Sequence, residues 1–311
     1  MLDSMFITLT TSLFTLFICM LAGYIAGKVK ILNDQVNAGL TSLIVNITIP
    51  CMIFISMMQP FSVMLLMESL LMIALTAAIF FSGYLMATVL ARIMKATEGE
   101  KCVWQFALTL ANVGFMGFPV IYSVYGEEGL FYNSMAVVTF NIVAFSFGVY
   151  LFRRAAPGEH KKINFKSIAF SPAMGAIYIG FVFFITGLRL PEAVHNGVSM
   201  VGGVTPALSM MLAGAILAKS KLLTLFTDLR TVPVIIMRLI VIPVAAIFVL
   251  RPFISNSMMF EVLIIVNAMP AAALTVIFAE QYNGDTAMAS KLVALSSLLC
   301  LLTLPVISLL M

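Results

Sequence analysis

Residues 112–119 read NVGFMGFP, and residues 267–273 read NAMPAAA. Both runs lie inside hydrophobic stretches, at matching places in the two halves of a 311-residue chain. An Asn followed closely by Pro in such a stretch frees backbone polar groups that lipid cannot satisfy. Non-helical backbone at membrane depth is tolerated only where protein covers it or where it lines a watery cavity. A matched pair of interruptions in two halves is the best pointer in a sequence to a transporter's binding site.

Composition supports a membrane reading. The chain is 62% hydrophobic and 10% charged, too apolar for a soluble domain to cover its own surface. No polar stretch is long enough for a second, soluble domain. The four cysteines (Cys19, Cys51, Cys102 and Cys300) are scattered, with no CxxC or Cys/His cluster. Neither a metal site nor a disulfide framework is expected from them. The first segment lacks a basic leader and a cleavage site, and so reads as a spanning helix. The single Trp and both His residues are expected at segment ends or in loops.

A bilayer takes about 20 apolar residues per helix. On that rule the apolar runs predict ten spans: 5–27, 37–58, 63–91, 102–124, 130–152, 167–188, 197–218, 231–250, 258–279 and 286–310. The polar run RRAAPGEHKK, residues 153–162, lies at the midpoint. The chain is therefore expected to fold as a first five-helix repeat (residues 1–152), a cytoplasmic linker (153–166) and a second repeat (167–311). Pro50 answers Pro206, Arg92 answers Arg251, and Tyr125-Gly126 answers Tyr282-Asn283-Gly284, each about half a chain apart. Five is odd, so the second repeat enters from the opposite side, which makes the topology inverted. With both termini outside, the inner loops collect Lys28, Lys30, Arg92, Lys95, Arg153, Arg154 and most other basic residues. The outer loops keep Arg189 and Arg251, a positive-inside pattern for a multi-pass protein of the cytoplasmic membrane. The net charge of +4 then reflects topology, and nucleic acid is not an expected partner.

The candidate binding residues follow from the interruptions. Gly114 and Gly117 ease non-helical backbone, and Pro119 removes a donor and frees a carbonyl. Asn112 and Asn267 each offer a carboxamide that donates and accepts, and Pro270 closes the second break. A helix that restarts after such a break presents free N–H groups and a positive dipole end, which suit a carboxylate. Asn46 with Pro50 (NITIP) and Asn141 in the fifth span need partners of their own. Arg238 lies well inside the eighth span. It can bind an anion, pair with a carboxylate or snorkel to the interface. Glu68 is the candidate proton carrier, and Asp285 reads as a helix N-cap. Gly23 and Gly27 make a GxxxG pattern suited to a scaffold helix or a dimer contact. No HExxH, GxSxG or Walker sequence is present, so an enzyme is not expected.

These residues resemble the auxin efflux carrier family, whose bacterial branch includes malonate and related carriers. The likeness covers essentially the whole chain. It rests on NVGFMGFP, NAMPAAA and the stretch AMPAAALTVIFAEQYNGDTAMASKLVALSSLLCLLTLP. Asn283 interrupts the family's Tyr-Gly, Ser296-Ser297 stands where Ser-Thr is commoner, and the plant members' long central loop is absent. The resemblance implies an all-α fold of ten helices in two inverted repeats, similar to sodium–bile acid symporters. Helices 1, 2, 6 and 7 would form a scaffold. Helices 3–5 and 8–10 would move, with broken helices 4 and 9 crossing at the substrate. The function expected is secondary transport of a small organic anion by an elevator motion, proton-coupled through Glu68. The alternatives are a sodium-coupled symporter of the same fold and a channel or non-transporting receptor. Expected partners are the anion, the lipid bilayer and a second copy in a homodimer. No cofactor is expected beyond the coupling ion.

Overall fold

The computed structural model describes residues 2–155, 171–219, 229–282 and 284–311. Regular structure among them is helical, apart from one isolated bridge pair. The helices are α1 (Leu2–Lys28), α2 (Asp34–Ser56), α3 (Val63–Ile93), α4 (Glu98–Thr109) and α5 (Gly117–Arg154). They continue as α6 (Pro172–Thr186), α7 (Glu192–Ala218), α8 (Thr231–Phe253), α9 (Ser257–Asn267), α10 (Leu274–Gln281) and α11 (Thr286–Ser308). Among the described residues, α1, α2, α3, α5, α7, α8 and α11 are long and apolar enough to cross a membrane.

The difference from ten expected spans has a local cause. The stretch expected at 102–124 stops being helical at Thr109 and resumes at Gly117. It then runs through a sharp turn at Gly126 (φ 59°, ψ −147°) into the stretch expected at 130–152. Only glycine adopts that backbone without strain, so Gly126 kinks α5 into two helical parts, one after the interruption and one in the stretch expected at 130–152. The stretch expected at 258–279 is divided into α9 and α10, and the described part of the stretch expected at 167–188 is α6, only 15 residues long. Most of the expected linker at 153–166 lies outside the described residues, as does Asn283. Asp285 caps α11, its Oδ1 accepting from the Met288 amide at 2.9 Å. Trp104, expected at a segment end, is fully buried inside α4.

Three of the long helices carry a wide π-helical turn, at Ile44–Thr48, Ala144–Gly148 and Met237–Val241. Two of them end just before a proline, Pro50 and Pro243. Proline supplies no N–H to the carbonyl four residues back, and the turn before it widens.

The chain divides into two compact units. The first comprises Met1–Met72, Gly114–Met135 and Asn164–Ser220. Here α1 packs along the second part of α7. A Cβ on Gly23 would lie 2.0 Å from the Met211 carbonyl oxygen, and one on Gly214 would lie 1.9 Å from that of Met20. Gly27 faces Ala215 and Ala218. The GxxxG face is thus occupied inside the unit. The second part of α2 packs against α6 and the first part of α7. There Gly202 meets the Met52 backbone, and Phe54 meets Phe183 edge-on at 5.2 Å.

The second unit comprises Ile73–Val113, Ala136–Ile163 and Lys221–Met311. Its interior holds a ring cluster of Phe106, Phe145, Phe152, Phe278 and Tyr282. A full capping box starts α4: Thr97 accepts from the Glu100 amide, and Glu100 accepts from the Thr97 amide. The outer oxygen of Glu100 pairs with Arg230 at 2.8 Å, and Arg230 also donates to the Met94 carbonyl at 2.9 Å. The start of α4 and the start of α8 are therefore fastened together.

Candidate functional site

The site is built from the ends of α4 and α9, which stop within the second unit. A helix end leaves its last carbonyls without partners, and buried ones must find them elsewhere. The chain after α4 runs antiparallel to the chain after α9, with Ala111 bridged to Ala271. The Asn112 amide donates to the Pro270 carbonyl at 2.9 Å, and the Ala272 amide donates to the Leu110 carbonyl at 3.1 Å. The Ala271 amide donates to Ser296 Oγ of α11 at 3.1 Å. Cys300, one turn further along α11, places its thiol 3.9 Å from the Ala268 carbonyl.

Arg238 takes three further carbonyls at these ends. Its Nε donates to Met269 O at 3.0 Å, Nη1 to Leu108 O at 2.9 Å and Nη2 to Asn267 O at 2.9 Å. The side chain is 1% exposed and rises from the π-helical turn of α8. Arg238 therefore neither snorkels nor pairs with a carboxylate among the described residues, and its charge faces backbone dipoles. Gly83 of α3 packs against the Leu108 carbonyl, where a Cβ would come within 2.3 Å of the oxygen. That close approach keeps water from the carbonyl.

Polar capacity is left over. Asn267 is fully buried. Its Nδ2 donates to Leu263 O at 2.8 Å, while its Oδ1 has no hydrogen-bond partner. Thr275 Oγ1, in the first turn of α10, is also buried without a partner. The Asn112 carboxamide is half-buried and takes no part in the bridge bonds. The geometry thus offers carboxamides and a hydroxyl beside the cross, while the Thr275 and Val276 amides of α10 are taken by the Ala272 and Ala273 carbonyls at 2.9 and 3.1 Å.

The chain matches the family model described as membrane transport protein over residues 8–308. It belongs to this family, that of the auxin efflux carriers. An uncharacterized transporter of Methanothermobacter thermautotrophicus is 26% identical over 305 residues, covering 95% of this chain and 96% of that one. The uncharacterized transporter YfdV of Escherichia coli K12 is 22% identical over 305 residues, with 94% of each chain covered. The uncharacterized transporter MJ1031 of Methanocaldococcus jannaschii is 25% identical over 291 residues, covering 92% and 94%. The protein is thus a member of a family of membrane transporters.

In this auxin efflux carrier relative, Asn112, Asn267, Pro270 and Arg238 come together in the second unit. Asn141 belongs to the same unit and donates to Val137 O of its own helix at 3.0 Å. Gly114, Gly117 and Pro119 fall in the first unit, because the division between the units passes between Val113 and Gly114. Asn46 also lies in the first unit, is exposed, and donates to Ser42 O of its own helix at 2.9 Å. Glu68 is in the first unit and accepts from the Tyr132 hydroxyl at 2.6 Å. Sequence reasoning missed Ser296, Gly83 and the common target of Arg238. A serine in an otherwise apolar helix marks a helix–helix bond. Nothing in a sequence tells which carbonyl an arginine will reach.

Proposed function

We propose that this protein is a secondary active transporter of a small organic anion, a mono- or dicarboxylate. The observation that carries the reading is the antiparallel backbone cross. Two helices stop in an apolar interior, and their ends are bonded to one another through Asn112 and Pro270. Helices interrupted in an apolar interior are tolerated only where protein covers the freed groups or a cavity lies beside them, and paired breaks of this kind mark transporter binding sites. The restarting helix α10 begins beside this cross, and the positive end of its dipole favours a carboxylate there.

On this reading α4 with the start of α5, and α9 with α10, are the fourth and ninth of ten spans in two inverted repeats, residues 1–152 and 167–311. Both termini are outside, and the basic loops face the cytoplasm. The binding set is Asn112, Gly114, Gly117, Pro119, Asn267 and Pro270, with Asn46 and Asn141 contributing. Arg238 adds positive potential from behind the cross. Two compact units in one chain support alternating access of the elevator type, in which one group of helices carries the substrate. Glu68, held by Tyr132, is the proposed proton carrier.

The test is uptake of labelled mono- and dicarboxylates into proteoliposomes. Asn112→Ala and Asn267→Ala are each expected to lower transport at least about tenfold, the cost of one good polar contact to a charged group. Both variants should remain monodisperse in detergent. Wild-type rates in both would overturn the site.

A further inference from the structure

The three carbonyls at the cross have the makings of a cation site. Leu108 O, Asn267 O and Met269 O converge within 3.0 Å of one group. Two of them belong to helix C-terminal ends, each carrying about half a negative charge. Two such ends offset one unit positive charge. A pocket of this kind in an apolar interior would ordinarily draw a small cation from solution. Here the guanidinium of Arg238 fills it, fully buried, and no carboxylate pairs with it among the described residues.

We propose that Arg238 is a resident cation: a tethered charge permanently seated where a free monovalent cation would otherwise be required. The cross is then electrically complete before any solute arrives. Several features of the structure carry this beyond a buried arginine finding partners. All three of its nitrogens are used, each on a different freed carbonyl, so the planar fork is matched to the cluster. The π-helical turn at Met237–Val241 displaces the side chain from ordinary helical register. Gly83 lets the α3 backbone pack so close to the Leu108 carbonyl that a Cβ would lie 2.3 Å from its oxygen, and Arg238 is the charged group that the oxygen meets. Arg238 is thus a positioning residue for the half-helix ends.

For the transport reading, on which this consequence rests, the driving ion is not sodium bound at these carbonyls. The cation chemistry can be tested without any transport assay, so a failure here is separable from a failure of the proposed function. Thermal unfolding of the purified protein in detergent is followed at constant ionic strength in sodium, potassium or choline chloride. The wild-type midpoint is expected to be the same in all three. Arg238→Ala is expected to unfold at lower temperature. Millimolar methylguanidinium should raise its midpoint saturably, and tetramethylammonium should not. Arg238→Lys keeps a charge at the cluster and is expected to fold and to ignore methylguanidinium. A sodium-selective rise in the wild-type midpoint would overturn the proposal, and it needs no variant to be stable. So would an Arg238→Ala protein whose midpoint responds to methylguanidinium no more than the wild type.

Discussion

At the scale of single residues, the cross is an exercise in finding partners for main-chain groups. Ser296 shows what one side chain contributes. Its hydroxyl takes the Ala271 amide in a buried site. Replacing it with Ala leaves that donor unpaired, and an unpaired buried amide costs about 1–3 kcal/mol. Ser296→Ala is therefore expected to lower the thermal midpoint measurably, while Ser296→Thr, which keeps the hydroxyl, recovers most of it. A midpoint unchanged in Ser296→Ala would mean that water reaches Ala271. The residue scale is also where the sequence was least legible. Asn112, Asn267 and Pro270 announce themselves by type, since amides and prolines are costly in lipid. Ser296 and the Leu108 carbonyl give no such signal, because a bond to backbone depends on where another helix passes. Arg238 stood out as a buried charge, but charge alone left several partners open to it.

At the scale of elements, glycine sets the distances. In the first unit Gly23 and Gly214 bring the α1 and α7 backbones into direct contact. A side chain on Gly214 would overlap the Met20 carbonyl, which neither helix can move without losing its own hydrogen bonds. Gly214→Val is expected to cost several kcal/mol, at the upper end of overpacking penalties, and to reduce the yield of folded protein. Size-exclusion profiles of Gly214→Val against Gly203→Val check this, because a Cβ on Gly203 meets nothing. Equal yields would contradict the packing. The GxxxG pattern was visible in the sequence. Its partner was not, since small residues say that something comes close and nothing about what. Helix ends were more legible: those at Thr109 and Asn267 fall at the quoted Asn, Gly and Pro runs. Gly126 was quoted only as a repeat mark. It sets a kink between the two helical parts of α5, and positive-φ backbone leaves no compositional trace beyond the glycine itself.

At the scale of the whole molecule, composition pointed to a membrane protein, because so apolar a chain could not cover its own surface in water, and the length of the apolar runs pointed to helices. Membership of a transporter family agrees with that. The driving force is a property of the whole molecule too. Glu68 accepts a short hydrogen bond from Tyr132 within the first unit, which ties a carboxylate to a second helix. If Glu68 carries the proton, Glu68→Gln abolishes stimulation by a pH gradient in proteoliposomes while exchange of substrate across the membrane continues. Stimulation that survives in Glu68→Gln would remove Glu68 from the coupling path.

The bridge between Ala111 and Ala271 has a consequence for how such a protein can change over evolutionary time. Its bonds run from main chain to main chain, so substitutions at these positions, other than proline at 112 or 272, leave the donors and acceptors in place. The side chains projecting around the cross can drift independently of it. Lineages can therefore acquire new substrates by altering what surrounds a fixed frame, one tolerated replacement at a time, without passing through a form that has lost the frame.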